Sequence, residues 1–162
     1  VIGRKLNSMD TKISEKIKRG VELFEQGYNC SQSVVLAFAE DFGIDPQTAL
    51  KFSSSFGGGM GRLREVCGAV TGAFMVLGWC YPATDITDKG AKKENYAAVQ
   101  NFAMEFKGQM GSYICAELLK LKREPQTPIP SERSREYYSL RPCSRCVAAA
   151  CEILAKEVYK SV

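Results

Sequence analysis

Any fold of this chain has to bury the segment from Val66 to about Cys80, where Ala69, Val70, Ala73, Phe74, Met75, Val76 and Leu77 leave almost no polar face. A helix that is apolar on nearly every side belongs in the middle of a bundle. The segment is entered through a glycine-rich turn, Gly57-Gly58-Gly59-Met60-Gly61, and through Cys67, which falls where the helix should begin. Glycines there allow unusual backbone angles and close approach of main-chain amides, and a thiol at a helix start meets free N–H groups that favour its thiolate.

The remaining periodicity is helical. Ile13, Ile17, Val21 and Phe24 space a first amphipathic helix from Met9 to Gln26, closed by Gly27. Asn29 is an N-cap for a second, beginning at Cys30-Ser31-Gln32 and ending at Gly43; Asp45 and Pro46 open a short third that runs to about Ser55. Beyond Pro82, a long helix carries Tyr96, Val99, Phe102, Phe106 and Met110 to Gly111, and Ser112 is positioned to cap a short one bearing Cys115 and Leu118. Residues 122–141, with Pro125, Pro128 and Pro130 between two charge clusters, read as an irregular surface excursion. A final amphipathic helix starts at Pro142-Cys143 and keeps Val147, Ala150, Cys151, Leu154 and Val158 on one stripe. No alternating run reaches convincing strand length, so the expected fold is all-α: a single-domain helical bundle over residues 9–162, six or seven helices around the central apolar one. Residues 1–8 show no pattern and read as a leader outside the domain.

With 162 residues and 45% hydrophobic content the chain can build a full core without disulfides. Seven cysteines in such a chain point to reduced thiols with a purpose, and thus to a reducing, cytoplasmic setting. A net charge of +4, spread among alternating acids, argues against nucleic acid, and no apolar run is long enough to insert into a membrane. The chain has no histidine, which removes the commonest general base, the Cys-His dyad and every histidine-containing metal site. Chemistry is left to thiols, carboxylates, hydroxyls or a bound cofactor.

Cys30, Cys67, Cys115 and Cys143 each fall at or near an expected helix N-terminus, where the dipole and unpaired amides lower a thiol pKa. Cys151 in an apolar stripe and Cys80 beside Trp79 and Tyr81 read as structural. Cys143 and Cys146 form a C-x-x-C, able to make a disulfide or supply two metal ligands, with no second such pair and no strand before it. The glycine turn is neither a Walker loop nor a dinucleotide fingerprint. Its better use is to aim amides of Gly57, Gly58, Gly59 and Gly68 at a sulfur or a cofactor.

These residues resemble the C_GCAxxG_C_C family of redox proteins across roughly residues 27–156. The resemblance rests on Asn29-Cys30-Ser31-Gln32-Ser33-Val34, on the glycine turn from Phe56 to Gly61, and on Cys67-Gly68-Ala69-Val70-Thr71-Gly72. Cys115 and Cys143 match the later single cysteines; Val66 stands before Cys67 where the family name has glycine, and Cys146 and Cys151 are additions. The resemblance implies a small helical protein of bacteria or archaea, often anaerobes, with a redox role whose reaction is not established. A related module in split-Soret cytochromes associates such cysteines with an iron-sulfur centre, and here the haem-attachment motifs are absent.

Three uses of the four thiols stand open at this level. One is an iron-sulfur cluster on Cys30, Cys67, Cys115 and Cys143 for electron transfer or redox sensing, since four thiolates are what such clusters require. A second is cofactor-free thiol exchange with Cys67 as nucleophile. The third is a structural zinc site of the same four cysteines. The expected partner is a redox protein, and a homodimer is left open.

Overall fold

The computed structural model describes residues 8–160, so the leader expectation lies outside the described residues, except for Ser8, which opens the first helix. Eight right-handed helices carry the described chain: α1 (Ser8–Glu25), α2 (Cys30–Phe42), α3 (Pro46–Ser53), α4 (Gly68–Cys80), α5 (Lys89–Met110), α6 (Cys115–Leu119), α7 (Arg135–Leu140) and α8 (Cys143–Val158). The fold is all-α, and an isolated antiparallel bridge between Val66 and Ile114 is the extent of β-pairing among the described residues. No described helix is long and apolar enough to cross a membrane.

Local chemistry sets the boundaries. The Asn29 side chain accepts from the Gln32 amide at 2.9 Å while Gln32 accepts from the Asn29 amide at 3.2 Å, a capping box that makes Cys30 the first residue of α2. Gly43 closes that helix at φ 66°, Asp45 and Asp88 cap α3 and α5, and Gly111 ends α5 at φ 91°. Ser112 does not cap α6. It accepts from the Ile114 amide at 3.0 Å and bonds Glu117, because the bridge strand holds residue 114 extended and delays the helix to Cys115. Part of the 122–141 excursion is also regular, as α7 is capped by Ser134.

The core is shared rather than wrapped around one helix. α1 packs on α8 and α2, α2 on α3 and α4, and α8 also touches α4 and α5. Val34, Ala37 and Phe38 of α2, Ala69, Val70 and Ala73 of α4, and Val147, Ala150 and Leu154 of α8 are fully enclosed. The last turn of α4 reaches the surface, leaving Trp79 56% exposed. Cys151 packs so closely on α1 that a Cβ on Gly20 would lie 2.5 Å from its Sγ, and burial pushes its thiol up to about 12. It is core filler, as its stripe suggests.

Two close approaches set the geometry near the cysteines. A Cβ on Gly72 would meet the Ser31 carbonyl oxygen at 2.8 Å, and one on Gly68 would meet the Phe56 carbonyl at 2.8 Å and Cys30 Cβ at 3.2 Å. These two glycines, one helical turn apart, let the start of α4 lie directly against the start of α2.

Candidate functional site

The glycine turn is a turn of left-handed helix. The Gly61 amide bonds the Gly57 carbonyl at 2.9 Å, but Gly58, Gly59, Met60, Gly61 and Arg62 have φ of 68°, 69°, 69°, 63° and 65°. An L-residue adopts this conformation only at a cost, which Met60 and Arg62 bear, so glycine at the other three positions keeps the strain of the turn down. The turn reverses the chain after α3 and delivers residues 64–67 to the bridge. There the Cys67 amide bonds the Tyr113 carbonyl at 2.8 Å, and the Cys115 amide bonds the Glu65 carbonyl at 2.6 Å. The ladder puts Cys67 opposite Tyr113 and Cys115 opposite Glu65, so the two cysteines lie diagonally across one bridge although they are far apart in sequence. Gly59 seals the arrangement, since a Cβ there would lie 2.5 Å from Cys115 Cβ and 2.8 Å from Arg64 Cα.

A cavity of about 420 Å³ opens beside this ladder. Cys30, Cys67, Cys115 and Cys143 all line it, and so do Gly57, Gly58, Gly59 and Gly68. All four thiols stand at helix starts: Cys30, Cys115 and Cys143 are first residues, and Cys67 is the N-cap of α4. Cys146 joins them one turn into α8, while Cys80 and Cys151 stay outside. All seven cysteines are free thiols. Cys67, Cys115 and Cys146 are buried, and Cys30 and Cys143 are half-buried.

Four of the five thiols interact in pairs, and the fifth, Cys115, faces Arg64. Cys30 is within hydrogen-bonding reach of Cys143, and Cys67 of Cys146. The Cys30 contact, helped by Arg141, Tyr137 and Arg133 against the cost of burial, pulls the Cys143 thiol down to about 7. Cys30, as donor in that pair and partly withdrawn from water, is pushed well up. Contact with Cys146 and then burial push Cys67 up too, against one amide, that of Ala69. Burial also raises Cys115, partly offset by the Arg64 guanidinium, whose Nη1 lies 3.5 Å from its Sγ. Helix-start placement alone therefore does not make each of these cysteines a thiolate; the guanidiniums and thiol partners decide which one ionises first.

Four arginines line the cavity, namely Arg62, Arg64, Arg133 and Arg141, and no aspartate or glutamate does. Arg64 is 2% exposed and its Nη2 is buried without a hydrogen-bond partner. Arg133 ties the excursion to the bundle by donating to the Phe24 and Tyr28 carbonyls at 2.9 and 3.0 Å and lying over the rings of Phe24 and Tyr137. Pro128, Pro130, Ser131 and Tyr137 of the same excursion also line the cavity. The residues that sequence reasoning passes over are thus these arginines and Tyr137, while Cys146, read there as half of the C-x-x-C, joins the cavity beyond the four expected thiols. A usable signal was present in Arg62 and Arg64, two arginines immediately after a glycine turn.

Among the described residues, no group of three or more cysteines, aspartates or glutamates converges on a position for a single metal ion. Five of the thiols line one cavity. No curated protein shows significant similarity to the chain. No solved structure does so either. The profile of one family, described as "putative redox-active protein (C_GCAxxG_C_C)", matches residues 28–157, the span that holds every cysteine of the cavity, and the chain belongs to that family.

Proposed function

We propose that the cavity is the redox centre of this protein and that Cys30, Cys67, Cys115 and Cys143 hold an iron-sulfur cluster there for electron transfer or redox sensing. The observation that carries the reading is the composition of the wall: five thiols and four guanidiniums, with no carboxylate. A thiolate-ligated cluster is an anion, and a low-dielectric wall rich in arginine and helix N-termini favours an anionic occupant. The orphaned Nη2 of Arg64 is the kind of buried donor such a group would satisfy. When bound, the cluster would supply one-electron chemistry. The chain's own part is to present the thiols from the starts of α2, α4, α6 and α8, to set the potential through Arg64 and the nearby amides, and to exclude water with residues 126–142. Gly57, Gly58, Gly59 and Gly68 keep the backbone close to that space.

A second reading has its own observation, the contact between Cys30 and Cys143. In cofactor-free exchange, the Cys143 thiolate attacks a disulfide substrate, forms a mixed disulfide and expels one substrate thiolate. Cys30 then loses its proton, attacks the Cys143 sulfur and expels the second thiolate, so the substrate gains two electrons and the protein holds a Cys30–Cys143 disulfide. The nucleophile on this reading moves from Cys67 to Cys143, because Cys67 is buried and its thiol raised.

Iron and acid-labile sulfide in anaerobically purified protein separate the readings. Brown protein with both bound is the expected result. Colourless protein that remains iron-free after anaerobic reconstitution would remove the cluster, and the exchange reading would then require a Cys143→Ser variant to lose disulfide reduction.

A further inference from the structure

As a rule arginine is costly to bury without a counter-ion, and even the more exposed Arg19 and Arg123 have one, in Glu40 and Glu65. The cavity breaks it. Arg62 Nη1 and Arg141 Nη2 both donate to one neutral hydroxyl, Ser131 Oγ, each at 3.3 Å, which draws two like charges together. Arg62 Nε donates to the Thr127 carbonyl at 2.7 Å and Arg64 Nε to the Gln126 side-chain oxygen at 3.0 Å, again neutral acceptors. Arg64 Nη2 has no acceptor at all. Burial first, then the charges of Arg64 and Arg141, make Arg62 easier to deprotonate than an isolated guanidinium, as expected of a cluster of cations with no anion among them. Arg133 differs, because its donors are used by Phe24, Tyr28 and Tyr138.

We propose that Arg62, Arg64 and Arg141 form a binding site for a small tetrahedral oxyanion, set in the cavity beside the thiols, and that this is the class of substrate the centre acts on. The substrate assignment rests on the cavity being the redox centre; the binding site does not. Several guanidiniums drawn from two separate stretches of chain suit a dianion with oxygens on all sides better than a carboxylate, which a single arginine fork can satisfy. The placement also fits: Arg62 follows the glycine turn, Arg64 reaches Cys115, and Arg141 lies two residues before Cys143. An anion held by all three would complete the hydrogen bonding of the cavity wall and lie among the cysteines.

Calorimetric titration of anaerobically purified protein with sulfate, phosphate and thiosulfate, at ionic strength held constant with chloride, tests this. Saturable binding of at least one dianion is expected, weakened tenfold or more in Arg62→Gln and in Arg141→Gln, with Arg19→Gln unchanged as the ion-paired control. Circular dichroism of each variant checks that it is folded. Tighter binding of thiosulfate or sulfate assigns the site to sulfur oxyanions, whereas tighter phosphate binding keeps the anion site and discards the substrate assignment, because phosphate takes no electrons from such a centre. No saturation beyond chloride, or saturation that both arginine variants leave intact, overturns the proposal. Iron, sulfide and reactive-thiol content of the same sample are read separately: saturable binding in protein lacking iron and cycling thiols would keep the anion site and discard the substrate assignment.

Discussion

At Gly59 two demands coincide, a φ of 69° and a neighbour where a Cβ would stand. Gly59→Ala should therefore cost roughly 2–5 kcal/mol, combining left-handed strain with overpacking against Cys115. Gly43 has a similar φ with nothing within 4 Å, so Gly43→Ala should cost about 1 kcal/mol from strain alone. Urea denaturation of the two variants checks the difference, and equal losses would mean that Gly59 is an ordinary turn residue. The thiols differ equally sharply. In reduced, metal-free protein the alkylation rate of Cys143 should rise with pH, because thiolate is the reactive form, and reach half its maximum near 7. An ordinary thiol does so at about 8.5. Cys30→Ala removes the donor that stabilises this thiolate and should move the midpoint upward; an unmoved midpoint would leave the arginines and Tyr137 as the cause.

Between elements, the contact of α2 with α4 decides where Cys30 stands relative to Cys67. Gly72→Ala pushes against the Ser31 backbone and should destabilise by roughly 1–3 kcal/mol. A second joint lies at the other end of α2, where Lys16 of α1, buried, donates to the Ala37 carbonyl at 2.7 Å and pairs with Asp41 at 2.8 Å, and the Tyr159 hydroxyl donates to the same carboxylate. Burial opposes ionisation of Asp41, but Lys16 and Tyr159 outweigh it and hold the carboxyl below its usual range. A depressed acid contributes stability above its unfolded pKa and loses it as pH falls through the folded value, so this joint should weaken only in acid. Asp41→Asn should flatten that part of the acid denaturation curve. Helices of this kind were legible because their signals are local: Asn29, Gly43, Asp45-Pro46 and Gly111 each act on the backbone beside them. Ser112 misleads because a pairing with residue 66, remote in sequence, holds the chain extended before α6.

Across the whole molecule, the candidate site is assembled from segments that share no local pattern. Cysteines at helix starts could be recognised one by one, since the capping residue and the thiol are adjacent in sequence. Their convergence could not, because it depends on the left-handed turn, the 66–114 bridge and the crossing of α2 over α4. The arginines were hidden for a related reason. A charged residue in a proline-rich excursion reads as solvated until residues 126–142 are seen to fold back over the cavity, where Arg133 anchors them to α1 and Arg141 faces Ser131. The fold thus brings a thiol-lined cavity together from both ends of the chain, and Cys80 and Cys151 are left out of it. Iron and sulfide content after anaerobic reconstitution should accordingly be compared across single Cys→Ser variants. Loss of both in the variants at Cys30, Cys67, Cys115 and Cys143, with full retention at Cys80 and Cys151, is the result this arrangement predicts; iron and sulfide bound equally by all six, or by none including the parent protein, would contradict it.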